Sequence, residues 1–422
     1  MVYYGLLLFF LLEYVRPTSY IPALNALHLN SIVPIGVLLG SHLRNLSVAT
    51  GEVLASPNAR WIMFLMCLIG LSGLICDVKL YALTVFISVF GYFLMYVAVR
   101  KEVYDFARIR GVFGILLLAH IVVGLLTPEM FSGDGERHYI ASGSFLGDGN
   151  DFALSVNVAL PMCLYLFGES RSMFKKMLFG GMLIVLVVAV VVSQSRGGIL
   201  ALACMGVYFW LRSNKKIVGM FGMVLMVGVV MVSAPPQLFD RMEKLTGEDI
   251  DGSAQGRLLA WGSAVRMALD HPFVGVGAGH FPVKYGVEYR PEGYGPNEIP
   301  WQTAHSSYFL ILGELGLPGI IFLLGIVFHN VLENNRALRQ YKNGKAAEDL
   351  KRYRLLHALT ASWMAFAVGG AFLSASYYPH VYLLAALSEC ARRMCAESTE
   401  DTKIQDKPEG IAVHSFSGLQ AR

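Results

Sequence analysis

Long apolar runs separated by short polar connections make up most of this chain. About twelve of these runs are long enough, or nearly long enough, to cross a bilayer as a helix. They lie near residues 2–15, 28–43, 61–76, 80–99, 111–126, 152–167, 176–192, 197–211, 217–234, 307–332, 355–373 and 378–395. Several fall short of the roughly 20 residues that an upright span needs, so their ends are approximate. The pattern predicts an all-α polytopic membrane protein.

One polar stretch interrupts the apolar pattern. It runs from Pro235 to His305, about 70 residues, which is far longer than the usual connection between helices. Large apolar side chains recur within it at helical spacing, at Leu258, Trp261, Val265 and Leu269. This spacing predicts an amphipathic helix that lies at the membrane surface. Loops of this size commonly carry function, so the stretch is the first place to look for a site.

Composition supports a membrane protein with one domain. Of the 422 residues, 55% are hydrophobic and only 15% are charged, which is too apolar for a soluble chain of this length. None of the six cysteines lies in the polar stretch, which argues against a disulfide framework and a cysteine-based metal site. The apolar start, residues 1–12, has no basic flank and is expected to remain as the first helix. We therefore expect a single polytopic domain over residues 1–395, including the periplasmic loop 235–305, and a disordered cytoplasmic tail over 396–422.

The positions of the basic residues predict the orientation. If both chain ends are cytoplasmic, most Lys and Arg fall in connections on the cytoplasmic side. The short connections on the other side carry only Arg16, Lys79, Arg137 and Arg196. By the positive-inside rule, the polar stretch and the turn that holds Arg196 then lie outside the cytoplasm. The formal net charge of +4 says little by itself, and membrane lipids rather than nucleic acid are the expected partner.

Two arginines are candidates for binding an anion. Arg196 follows Ser195 in a short turn on the side that normally lacks positive charge. Gly197 and Gly198 would let backbone N–H groups approach a ligand at the start of the next helix. Arg257 opens the predicted amphipathic helix, where the helix dipole also favours an anion. The alternatives are an arginine that reaches lipid headgroups and a solvated charge on a polar helix face.

Three histidines and one glutamate are further candidates. His305 stands where the chain returns to the membrane, and it could take a proton from a hydroxyl or cap the next helix. Glu314 follows in an apolar helical stretch, where it could orient a neighbour or satisfy the polar end of a span. The break Gly316-Leu317-Pro318-Gly319 predicts a re-entrant or lateral piece joined to a true span. His271 and His280 could bind phosphate or sugar, although a structural role is the favoured interpretation of each.

Two other patterns resemble known ligand loops without their context. The G-x-G-x-G at residues 275–279 is not placed between a strand and a helix, so we expect its glycines to allow close approach to a helix or a substrate. The sequence Asp148-Gly149-Asn150-Asp151 lacks the rest of a calcium loop. Together with Asp134 and Glu136 it is expected to be structural or to face the acceptor. No spacing of His, Cys and Glu makes a zinc site, so no metal and no cofactor is expected.

Four motifs together carry a resemblance to a known family. They are S-x-S-R-G-G at 193–198, G-R-x-x-x-W at 256–261, H-P-F-x-G-x-G-x-G-x-F at 271–281, and A-H-S-S-Y-x-x-x-x-x-E-x-G-x-x-G at 304–319. In this order the set resembles the O-antigen ligase and O-antigen polymerase superfamily of bacterial envelope glycosyltransferases. The resemblance covers residues 152–332 by motif and the whole chain by topology. Residues 148–154 look like the branch of O-glycosylation ligases that accompany exosortase systems.

The resemblance implies a GT-C-like membrane fold and a glycosyl transfer at the periplasmic face of the bacterial inner membrane. A glycan would move from undecaprenyl pyrophosphate to an acceptor hydroxyl, on lipid A-core or another envelope acceptor, with inversion and without a metal. By motif, Arg196 and Arg257 would bind the pyrophosphate and stabilise the leaving group. His305 would orient or deprotonate the acceptor hydroxyl. The other expected substrate-binding residues are Ser195, His271, His280 and Glu314.

Other functions remain open from the sequence. A polymerase that joins repeat units or a protein O-oligosaccharyltransferase would use the same chemistry, because acceptor choice resides in loops. A transporter or flippase would also have about twelve spans, but such proteins place ionisable residues near the bilayer midplane and show a repeat between halves. Neither feature is visible here. A non-catalytic scaffold would tolerate replacement of Arg196, Arg257 and His305.

Overall fold

The regular structure of the chain is helical. A computed structural model describes residues 1–43, 48–131, 145–213, 215–233, 252–291, 293–294, 301–342, 344 and 346–405. The helices in these ranges are α1 (Val2–Val15), α2 (Pro17–Tyr20), α3 (Leu29–Leu43), α4 (Thr50–Ala55), α5 (Pro57–Ile75), α6 (Lys79–Glu102), α7 (Phe106–Leu126), α8 (Gly149–Glu169), α9 (Met173–Val192), α10 (Arg196–Arg212), α11 (Lys216–Ser233), α12 (Gly252–Asp270), α13 (Phe281–Val287), α14 (Ser307–Tyr341), α15 (Ala347–Gly370) and α16 (Pro379–Gln405). Short 3-10 helices occur at Pro22–Leu27 and Pro128–Phe131.

Each predicted apolar run coincides with one long helix. Within the described residues, seven helical segments are long and apolar enough to cross a membrane. They are Pro22–Leu43, Pro57–Ile75, Lys79–Glu102, Phe106–Leu126, Gly149–Glu169, Met173–Val192 and Ser307–Tyr341. The prediction of an all-α polytopic membrane protein is confirmed in this form, and the number of twelve spans stays a prediction.

The predicted tail and the acidic connection lie partly outside the described residues. Helix α16 continues to Gln405, so residues 396–405 of the predicted tail are helical, and residues 406–422 are not described. Asp134 and Glu136, and the first part of the polar stretch up to residue 251, also lie outside the described residues.

Helix α15 lies at the centre of the bundle. It packs against α8, α10, α14 and α16. Two of its polar side chains bond neighbouring helices: Ser362 Oγ donates to the carbonyl of Val158, and Trp363 Nε1 donates to Ser388 Oγ. Because protein surrounds α15, it can carry polar residues that a lipid-facing helix would not tolerate. This explains how it can be less apolar than its neighbours α8, α10 and α14.

The connections gather at two ends of the bundle. One end, the loop end, contains residues 76–78, 147–151, 193–195, 271–281 and 371–378. Here the N–H of Val78 donates to His280 Nε2 at 3.2 Å, and the hydroxyl of Tyr378 donates to Asp151 at 3.0 Å. At the opposite, basic end, Arg100 pairs with Glu389 at 2.7 Å and Arg354 with Glu169 at 3.1 Å. This division agrees with the alternation expected from the basic residues. Which end faces the periplasm stays a prediction.

Helix α14 is broken one third of the way along, and the glycine-rich bend fills the gap. Gly316 has φ 67° and ψ −158°, outside the helical region. Pro318 has no N–H, so the carbonyl of Glu314 lacks its usual helical partner. The N–H of Leu317 donates to the carbonyl of Pro272 at 2.8 Å, so the carbonyl of Gly313 lacks its usual partner too. The N–H groups of Val276 and Gly277, both in the bend 271–281, donate to those two carbonyls at 3.0 Å each. The bend therefore supplies the hydrogen bonds that the broken helix lacks.

The close approach of bend and helix requires glycine on both sides. Gly275 has φ 60°, and a Cβ atom there would lie 2.2 Å from the backbone carbon of Glu314. A Cβ atom on Gly316 would lie 2.4 Å from the carbonyl oxygen of Pro272. Of the two partners that the sequence left open for these glycines, a helix or a substrate, the structure shows a helix.

We predict that Gly275→Ala strongly destabilises the protein. The substitution places a side chain at positive φ and forces backbone against backbone, so the free energy of unfolding should fall by more than about 1 kcal/mol. Thermal unfolding of the purified protein in detergent measures the effect.

Gly262→Ala is the matched control. Gly262 lies inside α12, and a Cβ atom there meets nothing within 4 Å. Since alanine favours a helix by about 1 kcal/mol over glycine, this variant should unfold at the same temperature or higher. Equal unfolding temperatures for the two variants would contradict the packing described here.

Candidate functional site

Arg196 is the first residue of α10 and follows a tight turn. Gln194 in this turn has a left-handed backbone with φ 52°. Ser195 is the N-cap of α10, and its Oγ accepts the N–H of Gly198 at 3.1 Å. A hydroxyl at this position satisfies one of the N–H groups that a helix start leaves open. The half-buried Arg196 is thus placed at the positive end of a helix dipole.

Two glycines allow the start of α10 to pack closely against its neighbours. A Cβ atom on Gly197 would lie 2.7 Å from the Cβ of Phe372, and one on Gly198 would lie 2.7 Å from the Cβ of Ala153. Asn157 Nδ2 also donates to the carbonyl of Gly198 at 2.9 Å. The helix start is therefore fixed between α8 and the turn 371–378, which joins α15 to α16.

Arg257 and the start of α10 line one small cavity. Arg257 lies near the beginning of α12 and is half-buried. The cavity has a volume of about 10 Å³, room for about one water molecule. The residues that line it are Asn150, Leu154, Ser195, Gly197, Gly198, Arg257, Gly369, Phe372 and Leu373. The structure thus brings together an arginine of the polar stretch and the turn around Ser195, which are about 60 positions apart in the sequence.

His305 lies in a segment that is tied to α12. Its backbone is left-handed, with φ 47°, an uncommon conformation for a residue other than glycine that tends to occur at functional sites. The side chain of Gln302 donates to the carbonyl of Gly256 at 2.8 Å, and Trp261 Nε1 donates to the carbonyl of Ala304 at 2.9 Å. These two bonds hold the half-buried His305 next to the helix that carries Arg257.

The turn 371–378 connects these elements, and sequence reasoning missed it. Ser307 Oγ donates to the carbonyl of Leu373 at 2.7 Å and accepts the N–H of Ala375 at 2.9 Å. Ser374 Oγ lies 3.0 Å from Thr303 Oγ1. The run Ser374-Ala375-Ser376-Tyr377-Tyr378, polar within a short connection, was the available signal.

Glu314 links α14 to both neighbours. Its side chain is 1% exposed; Oε1 accepts the N–H of Phe281 at 3.1 Å, and Oε2 accepts the hydroxyl of Tyr377 at 2.9 Å. Burial, and then the neighbouring Glu314, raise the pKa of Tyr377, so its hydroxyl keeps its proton and donates. Glu314 therefore orients other parts of the loop end, and its predicted contact with substrate stays a prediction.

The two histidines of the bend differ in exposure. His280 is buried; its Nε2 accepts the N–H of Val78 and its Nδ1 lies 3.1 Å from the carbonyl of Ala278. An Nε2 that accepts requires the proton on Nδ1, so both ring nitrogens are used within the protein. His271 follows the last residue of α12, and its side chain is exposed. Substrate binding by either one stays a prediction.

The acidic pair before α8 caps that helix. Asp148 is the N-cap: its side chain accepts the N–H groups of Asn150 and Asp151, and the Asp151 side chain accepts the N–H of Asp148. This reciprocal capping box accounts for both carboxyl groups and favours the structural role over the acceptor-facing one. Among the described residues, no group of three or more His, Cys, Asp or Glu could hold a metal ion. The expectation of a metal-free site stays a prediction.

Helix α12 buries one face against the protein and exposes most of the large apolar residues of its predicted stripe. Ala260, Ala264 and Met267 are fully buried against the loop end. Leu258 and Leu269 of the predicted apolar stripe are 55% and 73% exposed. Leu258, Val265 and Leu269 therefore face away from the protein, as a helix at the membrane surface would require. Trp261 of the same stripe instead stacks on Phe309 at 4.9 Å between ring centres.

Comparison with known proteins supports the resemblance. Residues 156–324 match a family model described as O-antigen ligase. This segment runs from α8 into α14 and contains the turn at Arg196, helix α12, the bend and His305. None of the curated proteins compared with the chain gives a significant match. The resemblance to the O-antigen ligase and polymerase superfamily is confirmed over the part of the chain that carries the candidate site.

We predict that Glu314→Ala destabilises the protein more than Tyr377→Phe does. The first variant leaves the buried N–H of Phe281 and the hydroxyl of Tyr377 without an acceptor, at a cost of about 1–3 kcal/mol for each unpaired group. The second removes one donor and leaves the Phe281 bond to Glu314 in place. Denaturant unfolding of both variants measures the difference. An equal loss of stability would mean that Glu314 does not hold the bend.

Proposed function

We propose that this protein, which carries an O-antigen ligase segment over residues 156–324, transfers a glycan from undecaprenyl pyrophosphate to an acceptor hydroxyl. The reaction takes place at the loop end, on the periplasmic side of the bacterial inner membrane. The acceptor is lipid A-core or another envelope molecule.

One observation carries the proposal. Arg257 lines one cavity with Ser195 and Gly197, the residues on either side of Arg196, and the segment of His305 is bonded to the same helix as Arg257. Three candidate residues from separate parts of the sequence are thereby brought to one end of the bundle.

The two arginines suit a pyrophosphate leaving group. When the bond between the anomeric carbon and the pyrophosphate oxygen breaks, that oxygen gains negative charge. Guanidinium groups bind phosphate oxygens through two parallel hydrogen bonds, and N–H groups at the start of α10 add to the positive potential. Stabilising charge that develops in the transition state is commonly the largest contribution to catalysis.

His305 suits the acceptor side of the reaction. The acceptor hydroxyl attacks the anomeric carbon as the pyrophosphate leaves from the opposite face, which inverts that carbon. His305 either accepts the proton of the hydroxyl or orients the hydroxyl for attack. Because guanidinium groups neutralise the leaving group, this arrangement needs no metal ion.

The exposed stripe of α12 suits a donor that stays in the membrane. Leu258, Val265 and Leu269 would enter the headgroup region and hold Arg257 at the depth of a lipid-linked pyrophosphate. The cavity beside Arg257 is smaller than a pyrophosphate, so donor binding requires one of its walls to move.

We predict that Arg196→Gln, Arg257→Gln and His305→Gln each lower the rate of transfer by about 100-fold or more. Purified protein is given an undecaprenyl-pyrophosphate glycan, and product is measured with lipid A-core, a second repeat unit or a protein as acceptor, with a chelator present. The acceptor that becomes labelled distinguishes a ligase from a polymerase or a protein O-oligosaccharyltransferase.

Arg336→Gln is the matched control. Arg336 is an exposed arginine of α14 at the basic end, where it pairs only with Glu333 among the interactions described, and its loss should leave transfer unchanged. Full activity in the three site variants would contradict the proposed roles. Absence of transfer to any acceptor by folded wild-type protein would contradict the proposed function itself.

A further inference from the structure

A second, larger cavity lies in the half of the bundle toward the basic end. It has a volume of about 790 Å³, within the range of about 300–1,000 Å³ that is typical of ligand pockets. Residues of α8, α9, α10, α11 and α15 line it. Its apolar part includes Leu160, Val187, Leu202, Met226 and Val229.

The polar groups of this cavity are confined to one end. Trp210, Arg212 and Ser213, at the last turn of α10, and His357 of α15 all lie toward the basic end. Toward the loop end, the lining consists of Val187, Leu202 and Val229. The cavity therefore suits a molecule with a polar head at the basic end and an apolar body in the membrane.

Two buried nitrogen atoms at the polar end have no hydrogen-bond partner among the described residues. They are Trp210 Nε1 and His357 Nε2. The ring of His357 is held by stacking on Tyr208, at 5.0 Å between ring centres, and on Tyr353, at 5.6 Å. A buried polar atom without a partner costs free energy, so these atoms indicate a polar ligand group.

Three cations stand at the polar end. Arg212 Nη2 donates to Asn335 Oδ1 at 2.8 Å, and since an amide is neutral, this contact leaves the positive charge available. Lys216 Nζ donates to the carbonyls of Trp210 and Leu211 at 3.0 and 2.7 Å, which fixes its ammonium beside the cavity. Lys215 is exposed nearby. Together they favour an anionic headgroup.

We infer that this cavity binds an anionic phospholipid from the leaflet at the basic end. The lipid phosphate contacts Arg212 and the lysines, headgroup or ester oxygens accept from Trp210 Nε1, and an acyl chain fills the apolar part. The site is distinct from the proposed donor site. Arg196 and Arg212 stand at opposite ends of α10, about 24 Å apart at 1.5 Å per residue.

A polyprenyl tail is the other molecule that could occupy the apolar part. The distribution of polar groups favours the phospholipid, because the cations and the unpaired nitrogens lie at the end opposite to Arg196. A donor whose pyrophosphate lies at the loop end would leave these groups without partners.

Native mass spectrometry of the full protein in detergent tests the inference, with phosphatidylglycerol, phosphatidylcholine and undecaprenyl phosphate as probes. We expect phosphatidylglycerol to bind at least about tenfold more tightly than phosphatidylcholine of the same chain length, because the phosphate charge of phosphatidylglycerol faces the arginine and lysines without an attached choline cation to offset it. Arg212→Gln should remove that preference, and Arg336→Gln should keep it.

A pair of glycine variants tests the cavity itself. Gly222 lines the cavity and Gly228 does not, although both lie on α11 and a Cβ atom on either meets nothing within 4 Å. Gly222→Leu should therefore abolish phosphatidylglycerol binding, and Gly228→Leu should leave it intact.

Three results would overturn the inference. One is equal binding by the two glycine variants. Another is equal affinity for the two phospholipids with no effect of Arg212→Gln. The third is binding of undecaprenyl phosphate, blocked by Gly222→Leu, without binding of phosphatidylglycerol, which would assign the cavity to a polyprenyl chain.

Discussion

The break in α14 is the constraint on which the loop end depends. A helix with Pro318 in it leaves the carbonyl of Glu314 without its usual partner, and an unpaired carbonyl in an apolar region is costly. The bend supplies the missing N–H groups and can do so only because glycine allows backbone to meet backbone at Gly275 and Gly316. Once the bend is fixed, α12 and the N–H of Phe281 are fixed too, and Glu314 then reaches both the bend and the turn 371–378.

The candidate site is assembled from segments that cannot be positioned independently. The start of α10 is held against Phe372, the segment of His305 is bonded to α12, and Ser307 is bonded to the turn 371–378. The same turn therefore touches each part that carries a candidate residue. Left-handed backbone at Gln194 and His305 indicates that the surrounding contacts, rather than local preference, determine these conformations.

The sequence predicts the helices well because hydropathy is a local property, and the twelve runs coincide with twelve helices. It also indicates Arg196, Arg257 and His305, since charge and histidine are conspicuous in such a chain. The contacts of the turn 371–378 could not be predicted: Tyr378 bonds Asp151 across 227 positions, and no periodicity connects them. The packing face of α12 was equally hidden. Three of the four large residues of its visible stripe are exposed, and the buried face is made largely by Ala260, Ala264 and Met267. The two alanines let the helix approach its neighbours closely.

The bend also bears on how the chain reaches its final state during synthesis. Residues 271–277 emerge from the ribosome before α14 does, so the N–H groups that α14 needs already exist when its own carbonyls enter the bilayer. In the predicted orientation, the polar stretch crosses the membrane first and then docks against α14. Membrane insertion of α14 and docking of the loop would then be coupled, and a chain whose loop stays on the other side of the bilayer would leave the carbonyls of Gly313 and Glu314 without the N–H groups of the bend.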